Sequence, residues 1–186
     1  KIETSGVLAN SSVTALAGGW AIDAFKPLAL YPVSLAEKIA GKELNSDLEG
    51  DITLTINSTV NWYLGTNGNV PEGQYDFVTV VLHELCHGLG FFDSMNADSN
   101  TGWYGFSSFP VIYDTFIENS EEKLLTDTLE FRNYTMALLK ELTGGNLFFK
   151  GPVFRKMTVE PKARIYAPST WDNGSSISHL DEELTL

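Results

Sequence analysis

Cysteine is almost missing from this chain: of 186 residues only Cys86 carries a thiol, so no internal disulfide staples the fold. Histidine is nearly as scarce, with three copies. Basic residues are few, 12 against 24 acidic, and the net charge of −12 argues against nucleic acid or an anionic membrane as partner. No stretch approaches the roughly 18–20 uninterrupted apolar residues of a membrane span. Lys1-Ile2-Glu3-Thr4-Ser5 has no apolar segment behind a basic start, so no signal peptide is expected; a secreted protein would already have lost one. Internal repeats and low-complexity tracts are also missing.

What is present describes a folded, globular protein. Hydrophobic residues make up 43% and aromatic residues 12%, and the length suits one domain of two lobes with a sizeable core. Residues 1–32 are rich in Gly, Ser, Asn and Ala and predict a strand or two between turns. Ser34 to Ala40 predicts a short helix, with Ser34 as N-cap, Glu37 three residues on as in a capping box, and Gly41 as stop. Asp51 to Asn57 alternates strictly, Ile52, Leu54 and Ile56 on one face and threonines on the other, and is the clearest strand. Glu121 to Leu142 reads as one helix of about twenty residues with a core-packing stripe that includes Met136. Leu147 to Phe149 and Ala163 to Tyr166 predict short strands. Asn96, Asp98 and Asn100 alternate like the start of a calcium loop, but Gly102 falls one place late, so a Ca2+ site is only weakly supported.

The informative stretch is Val80-Val81-Leu82-His83-Glu84-Leu85-Cys86-His87-Gly88-Leu89-Gly90-Phe91-Phe92-Asp93. On a helix His83 and His87 share a face, about 5–6 Å apart at Cβ, which lets two neutral imidazoles grip one metal ion. Zinc is the metal such a pair usually holds. Glu84 stands beside the first ligand, placed to take a proton from a metal-activated water and hand it to a leaving amine. The residues before it, from Tyr75 to Leu82, are apolar nearly all round and predict a helix through a core. Gly88 weakens its last turn, Gly90 supplies a left-handed exit, and Cys86 reads as a small buried core residue.

A catalytic zinc takes three protein ligands and one open position. The third is His179, in Ser175-Ser176-Ile177-Ser178-His179-Leu180-Asp181, or Asp93, six residues after His87. A glutamate from Glu118, Glu121 or Glu122 would make a different, thermolysin-like site, and the glycine exit speaks against it.

The His-Glu-x-x-His-x-x-Gly helix resembles that of the metzincin zinc endopeptidases. A long insertion followed by a Ser-His segment and an acidic stretch is most similar to their leishmanolysin-type branch, which implies His83, His87 and His179 as the zinc ligands. His-Glu-x-x-His-x-x-Gly-x-x-Asp is also similar to the snapalysin group, in which Asp93 would be the ligand. The resemblance covers the helix strongly, residues 168–186 moderately, and the remainder through the order of elements.

It implies an α+β catalytic domain over residues 1–186. An N-terminal lobe of about 1–90 would hold a twisted sheet and the metal helix, and a C-terminal lobe would run from about 91 to 186. It also implies a methionine turn under the metal. No methionine follows His179, so that turn is expected beyond Leu186; Met157 is the alternative if Asp93 is the ligand.

The implied function is hydrolysis of peptide bonds in a protein or peptide substrate laid along an edge strand, near Asp51 to Asn57. A different class of reading is a non-catalytic module in which zinc staples the lobes and the surface binds a partner. The acidic, cysteine-poor composition and mature-looking start suggest a secreted or cell-surface protein of bacterial origin. Asn-x-Ser/Thr sites at Asn10, Asn57, Asn133 and Asn173 matter only in a eukaryotic secretory route.

Overall fold

The computed structural model describes residues 8–46, 50–107, 109–151, 153 and 162–181. In chain order these form β1 (Ala9–Val13), β2 (Leu16–Gly18), β3 (Leu30–Pro32), α1 (Val33–Ala40), β4 (Ile52–Ile56), β5 (Trp62–Tyr63), β6 (Tyr75–Asp76) and α2 (Phe77–Gly88). There follow β7 (Met95–Ala97), β8 (Gly102–Tyr104), β9 (Ile117–Asn119), α3 (Met136–Leu142), β10 (Leu147–Phe149) and β11 (Ala163–Ile165). The architecture is α+β, with small sheets and short helices. No helix of the described residues is long and apolar enough to cross a membrane. The chain divides into two compact units: residues up to 17 with 21–24 and 31–91, and residues 18–20 and 25–30 with those from 92 onward.

In the first unit the alternating Ile-Thr-Leu-Thr-Ile segment forms β4, which pairs antiparallel with β1 from Ala9 opposite Ile56 to Val13 opposite Ile52. The sheet is only these two strands wide among the described residues. α2 lies across both strands. Its contact is narrow, because Gly88 removes a side chain where the helix meets Ile52, and among its own residues only Glu84 and Gly88 are buried. α2 is therefore not the core-spanning helix its apolar sequence predicts. Leu82 is 57% exposed, Val78 38%, and Cys86 is exposed rather than packed. A two-stranded sheet covers one face of a helix and no more.

α1 runs where its sequence places it and stops at Gly41, in the left-handed region at φ 65°. Its expected capping box does not form. Ser34 spends its hydroxyl on the carbonyl of Gly88 at 2.8 Å, tying α1 to the end of α2, and Glu37 accepts from the amide of Leu44 at 2.9 Å.

In the second unit β9, β10 and β11 form an antiparallel sheet in the order β11-β10-β9. Val111, Ile117, Leu125, Leu138, Leu142, Leu147, Ile165 and Ile177 are fully shielded from solvent, each burial stabilising by about 1.5–3 kcal/mol. β7 and β8 form a hairpin whose turn is fastened by Asp98, which accepts from the amides of Asn100 and Thr101 at 2.7 Å each. That carboxylate fastens the turn.

The twenty-residue helix expected over Glu121 to Leu142 shrinks to the seven residues of α3. Polar side chains upstream compete for backbone groups. Asn133 accepts from the Tyr104 amide at 2.8 Å and donates to the Tyr104 carbonyl at 2.9 Å. Glu122 and Tyr134 stand at φ 63° and 60°, outside any right-handed helix. Thr135 then caps α3 through the amide of Leu138. Met136, expected in the core, is 51% exposed, and Leu129 is 93% exposed.

Candidate metal centre

α2 ends in a Schellman motif, and that ending sets the geometry of its histidines. The amide of Gly90 reaches the carbonyl of His87 at 2.9 Å and the amide of Phe91 that of Cys86 at 3.0 Å. Gly90 makes the turn possible at φ 116°, a backbone conformation that side-chain-bearing residues rarely adopt. The chain folds back far enough for the carbonyl of Phe91 to accept from His87 Nδ1 at 2.6 Å. A carbonyl only accepts, so Nδ1 carries the proton and Nε2 of neutral His87 carries the lone pair.

That Nε2 lies 3.0 Å from Nε2 of His83, with the rings edge to face and their centroids 4.6 Å apart. Two ring nitrogens meet at this distance only with a proton or a cation shared between them. Two nitrogens on one tetrahedral zinc stand roughly 3.3 Å apart at bond lengths of about 2.0–2.1 Å. The donor type and spacing of the pair, and the tautomer of His87, therefore suit zinc.

Glu84 is set about 100° round the helix from His83 and about 60° from His87, between the histidine face and the sheet face. It is 7% exposed, whereas His83 is exposed and His87 half-buried. A carboxylate on the inner margin of an open imidazole pair can exchange protons with a molecule held there.

His179 belongs to the second unit. Its segment adds to the edge of β11: the amide of Tyr166 donates to the His179 carbonyl at 2.9 Å, the amide of Ile177 to the Tyr166 carbonyl at 2.8 Å, and the amide of Asp181 to the Arg164 carbonyl at 3.0 Å. His179 Nδ1 faces the carbonyl of Ser175 at 2.9 Å, so its ring has the same tautomer as His87, with the lone pair on Nε2. His179 lines a cavity of about 670 Å³ with Thr143, Tyr166, Pro168 and Asp172 among its walls.

Asp93, the other candidate ligand, is committed elsewhere. Its Oδ1 accepts from the amide of Met95 at 2.7 Å and its Oδ2 accepts from the hydroxyl of Ser178. Enclosure pushes its carboxyl up to about 7, the two hydrogen bonds pulling the other way. Asp114 is pushed up to about 8, first by burial and then by the charge of Asp93, although it accepts from Ser94 and from the amide of Val111. Glu118 is buried against Lys150 and Lys162 at 2.7 and 2.8 Å, and so serves an ion-pair cluster. Met157 lies outside the described residues.

A family model described as SPBPB7E8-like matches residues 27–154. The chain belongs to the SPBPB7E8-like family. The matched range includes His83, Glu84 and His87 and ends before His179. Among curated relatives, the chain is similar to the uncharacterized protein PB7E8.01 of Schizosaccharomyces pombe, 32% identical over 73 residues, which cover 39% of this chain. The match spans 11% of that relative's length. No solved structure matches. The bacterial origin expected from composition is corrected by this fission-yeast relative, a eukaryotic protein. An acidic surface and a scarcity of cysteine are solubility and redox traits that do not separate bacteria from eukaryotes.

The sequence reading missed the backbone partners of His87 and of His179 in this SPBPB7E8-like chain. The carbonyls of Phe91 and Ser175, which set the two imidazole tautomers, have no side-chain signature; Gly90 was the one hint that the chain turns back there.

Proposed function

We propose that this chain carries the catalytic centre of a zinc-dependent endopeptidase with a metzincin-type fold, His83, His87 and His179 holding the ion and Glu84 handling the proton. The observation that carries this reading is the 3.0 Å approach of the His83 and His87 Nε2 atoms on α2, beside a buried glutamate. The tautomers of His87 and His179 support it, since each presents the lone pair of Nε2.

When bound, zinc supplies a Lewis acid for the scissile carbonyl and makes water a stronger acid. Glu84 takes the proton of the attacking water and returns it to the departing amine, so that the peptide nitrogen leaves as a neutral group. Hydrogen bonds from Nδ1 to backbone carbonyls keep His87 and His179 oriented throughout. β4 pairs on one side with β1 and has no strand on its other side among the described residues, so that edge suits an extended substrate.

The test is zinc content measured together with casein or gelatin cleavage, with and without chelator, for the wild type, Glu84→Ala and His179→Ala. Stoichiometric zinc, cleavage abolished in Glu84→Ala and zinc lost in His179→Ala are the expected results. Zinc without cleavage in the wild type would replace the enzyme by a non-catalytic, zinc-stabilised binding module.

A further inference from the structure

Asp93 and Ser178 are 85 residues apart in sequence and joined in the second unit by their side chains. The Ser178 hydroxyl donates to Asp93 Oδ2, and the Asp93 amide points back at Ser178 Oγ at 3.4 Å. A neighbouring bond grips the preceding residue: Tyr113 donates its buried hydroxyl to the carbonyl of Ile177 at 2.8 Å. Ile177 itself stands at φ 69° with its side chain fully buried. A β-branched residue enters that region only when its surroundings hold it there. Side-chain clamps from Tyr113 and Asp93 therefore bear on two consecutive residues, one of them strained, immediately before His179.

We propose that Asp93 is a positioning residue which, through Ser178, fixes the backbone segment that presents His179. The inference rests on the reading of His179 as a zinc ligand for its consequence in metal binding, but not for its consequence in the chain itself. Asp93 is well placed for the task. It follows the turn at Gly90 by three residues, and its second oxygen is anchored by the amide of Met95, so the carboxylate cannot swing with the loop it holds. The bonds to β11 hold the backbone at Ile177, His179 and Asp181, and Tyr113 holds the Ile177 carbonyl. The Ser178 bond adds a side-chain clamp on the one residue between the strained Ile177 and His179. The family resemblance offered Asp93 as a metal ligand; the geometry points to an outer support that orients one.

The experiment compares wild type, Asp93→Ala, Asp93→Asn, Ser178→Ala and the Asp93→Ala/Ser178→Ala double variant in two measurements. The first, on metal-free protein, is amide hydrogen exchange at Tyr166, Ile177 and Asp181, whose bonds dock the His179 segment on β11. Asp93→Ala and Ser178→Ala are expected to speed exchange at these three amides by at least tenfold. The reference is the amide of Leu142 on α3, which is expected to stay unchanged. Asp93→Asn, whose amide oxygen can keep the Met95 amide while its NH2 donates to Ser178 Oγ, is expected to remain near wild type. Unchanged exchange at the three amides, or an equal rise at Leu142, would overturn the proposal whatever the metal does.

The second measurement is zinc affinity by chelator competition, with the visible spectrum of the cobalt-substituted protein as its signature. A loss of 10–100-fold is expected in each alanine variant and no further loss in the double variant, because one bond is removed in all three. Additive losses, or failure of Asp93→Asn to restore affinity, would show separate roles and overturn the proposal. A wild type that binds no zinc would overturn the metal reading alone and leave the exchange result to decide the clamp.

Discussion

Gly88 of α2 faces Ile52 of β4 so closely that a Cβ built on the glycine would lie 2.5 Å from Ile52 Cγ2. The helix approaches the sheet at that point only because a hydrogen stands where other residues carry a methyl group. Gly88→Ala is therefore expected to destabilise the protein by about 1–3 kcal/mol despite the better helix propensity of alanine. Trimming the opposing side chain, in Gly88→Ala/Ile52→Ala, should recover part of the loss relative to the sum of the two single changes. Thermal unfolding of the four proteins checks this; strictly additive losses would mean that the two positions do not meet.

Asp114 makes stability depend on pH in an unusual direction for a carboxylic acid. Its ordinary value is 3.8 and the folded chain raises it to about 8, so between these limits the folded state holds a proton that the unfolded state has released. Stability is then full below the unfolded value and falls as pH rises, at up to about 1.4 kcal/mol per pH unit. Asp93, raised to about 7, adds to the same slope. Denaturant midpoints measured from about pH 5 to about pH 8 should decline, and Asp114→Asn should flatten the decline. A midpoint that rises with pH would show both groups ionised throughout.

Glu84→Gln keeps the shape of the side chain and removes its basicity. Under the proposed mechanism, peptide cleavage is expected to fall by roughly 10²–10⁴-fold while zinc content stays that of the wild type. Paired rate and metal analyses check it. Near-normal turnover would remove Glu84 from the proton transfer, and loss of metal would give it a ligand-supporting role.

Asn133 brackets both backbone groups of Tyr104, a residue only 4% exposed. Asn133→Ala leaves that peptide without its two partners and should cost about 1–3 kcal/mol. Asn133→Asp, which can still accept from the amide, should cost less. Chemical denaturation of the three proteins ranks them, and an alanine variant as stable as wild type would show that solvent replaces the bracket.

Asn133 also shows why part of the fold was illegible. The apolar spacing from Leu124 to Leu142 satisfies a helix template, yet Leu125 is buried from a turn and Leu129 lies in solvent. Spacing registers which side chains are apolar, not whether an asparagine will bind a strand 29 residues away. β4, α1, β10 and β11 were readable because their local residue patterns, and stops such as Gly41, agree with the elements they form. On α2 the two histidines, Glu84 and the turn at Gly90 follow from spacing alone. The helix's exposure does not, because it depends on how wide a sheet lies beneath it. Asp93 is offered in sequence as an alternative ligand, and its bond to Ser178, 85 residues away, has no local signature.

The peptide group of Phe91 has one more consequence. Its N–H closes the end of α2 on Cys86, and the carbonyl of the same residue holds the ring of His87. Opening of the final helical turn and rotation of that imidazole are therefore one equilibrium seen at two places. Whatever a ring in this pose binds will draw the helix end shut with the same free energy that fraying would subtract from the binding.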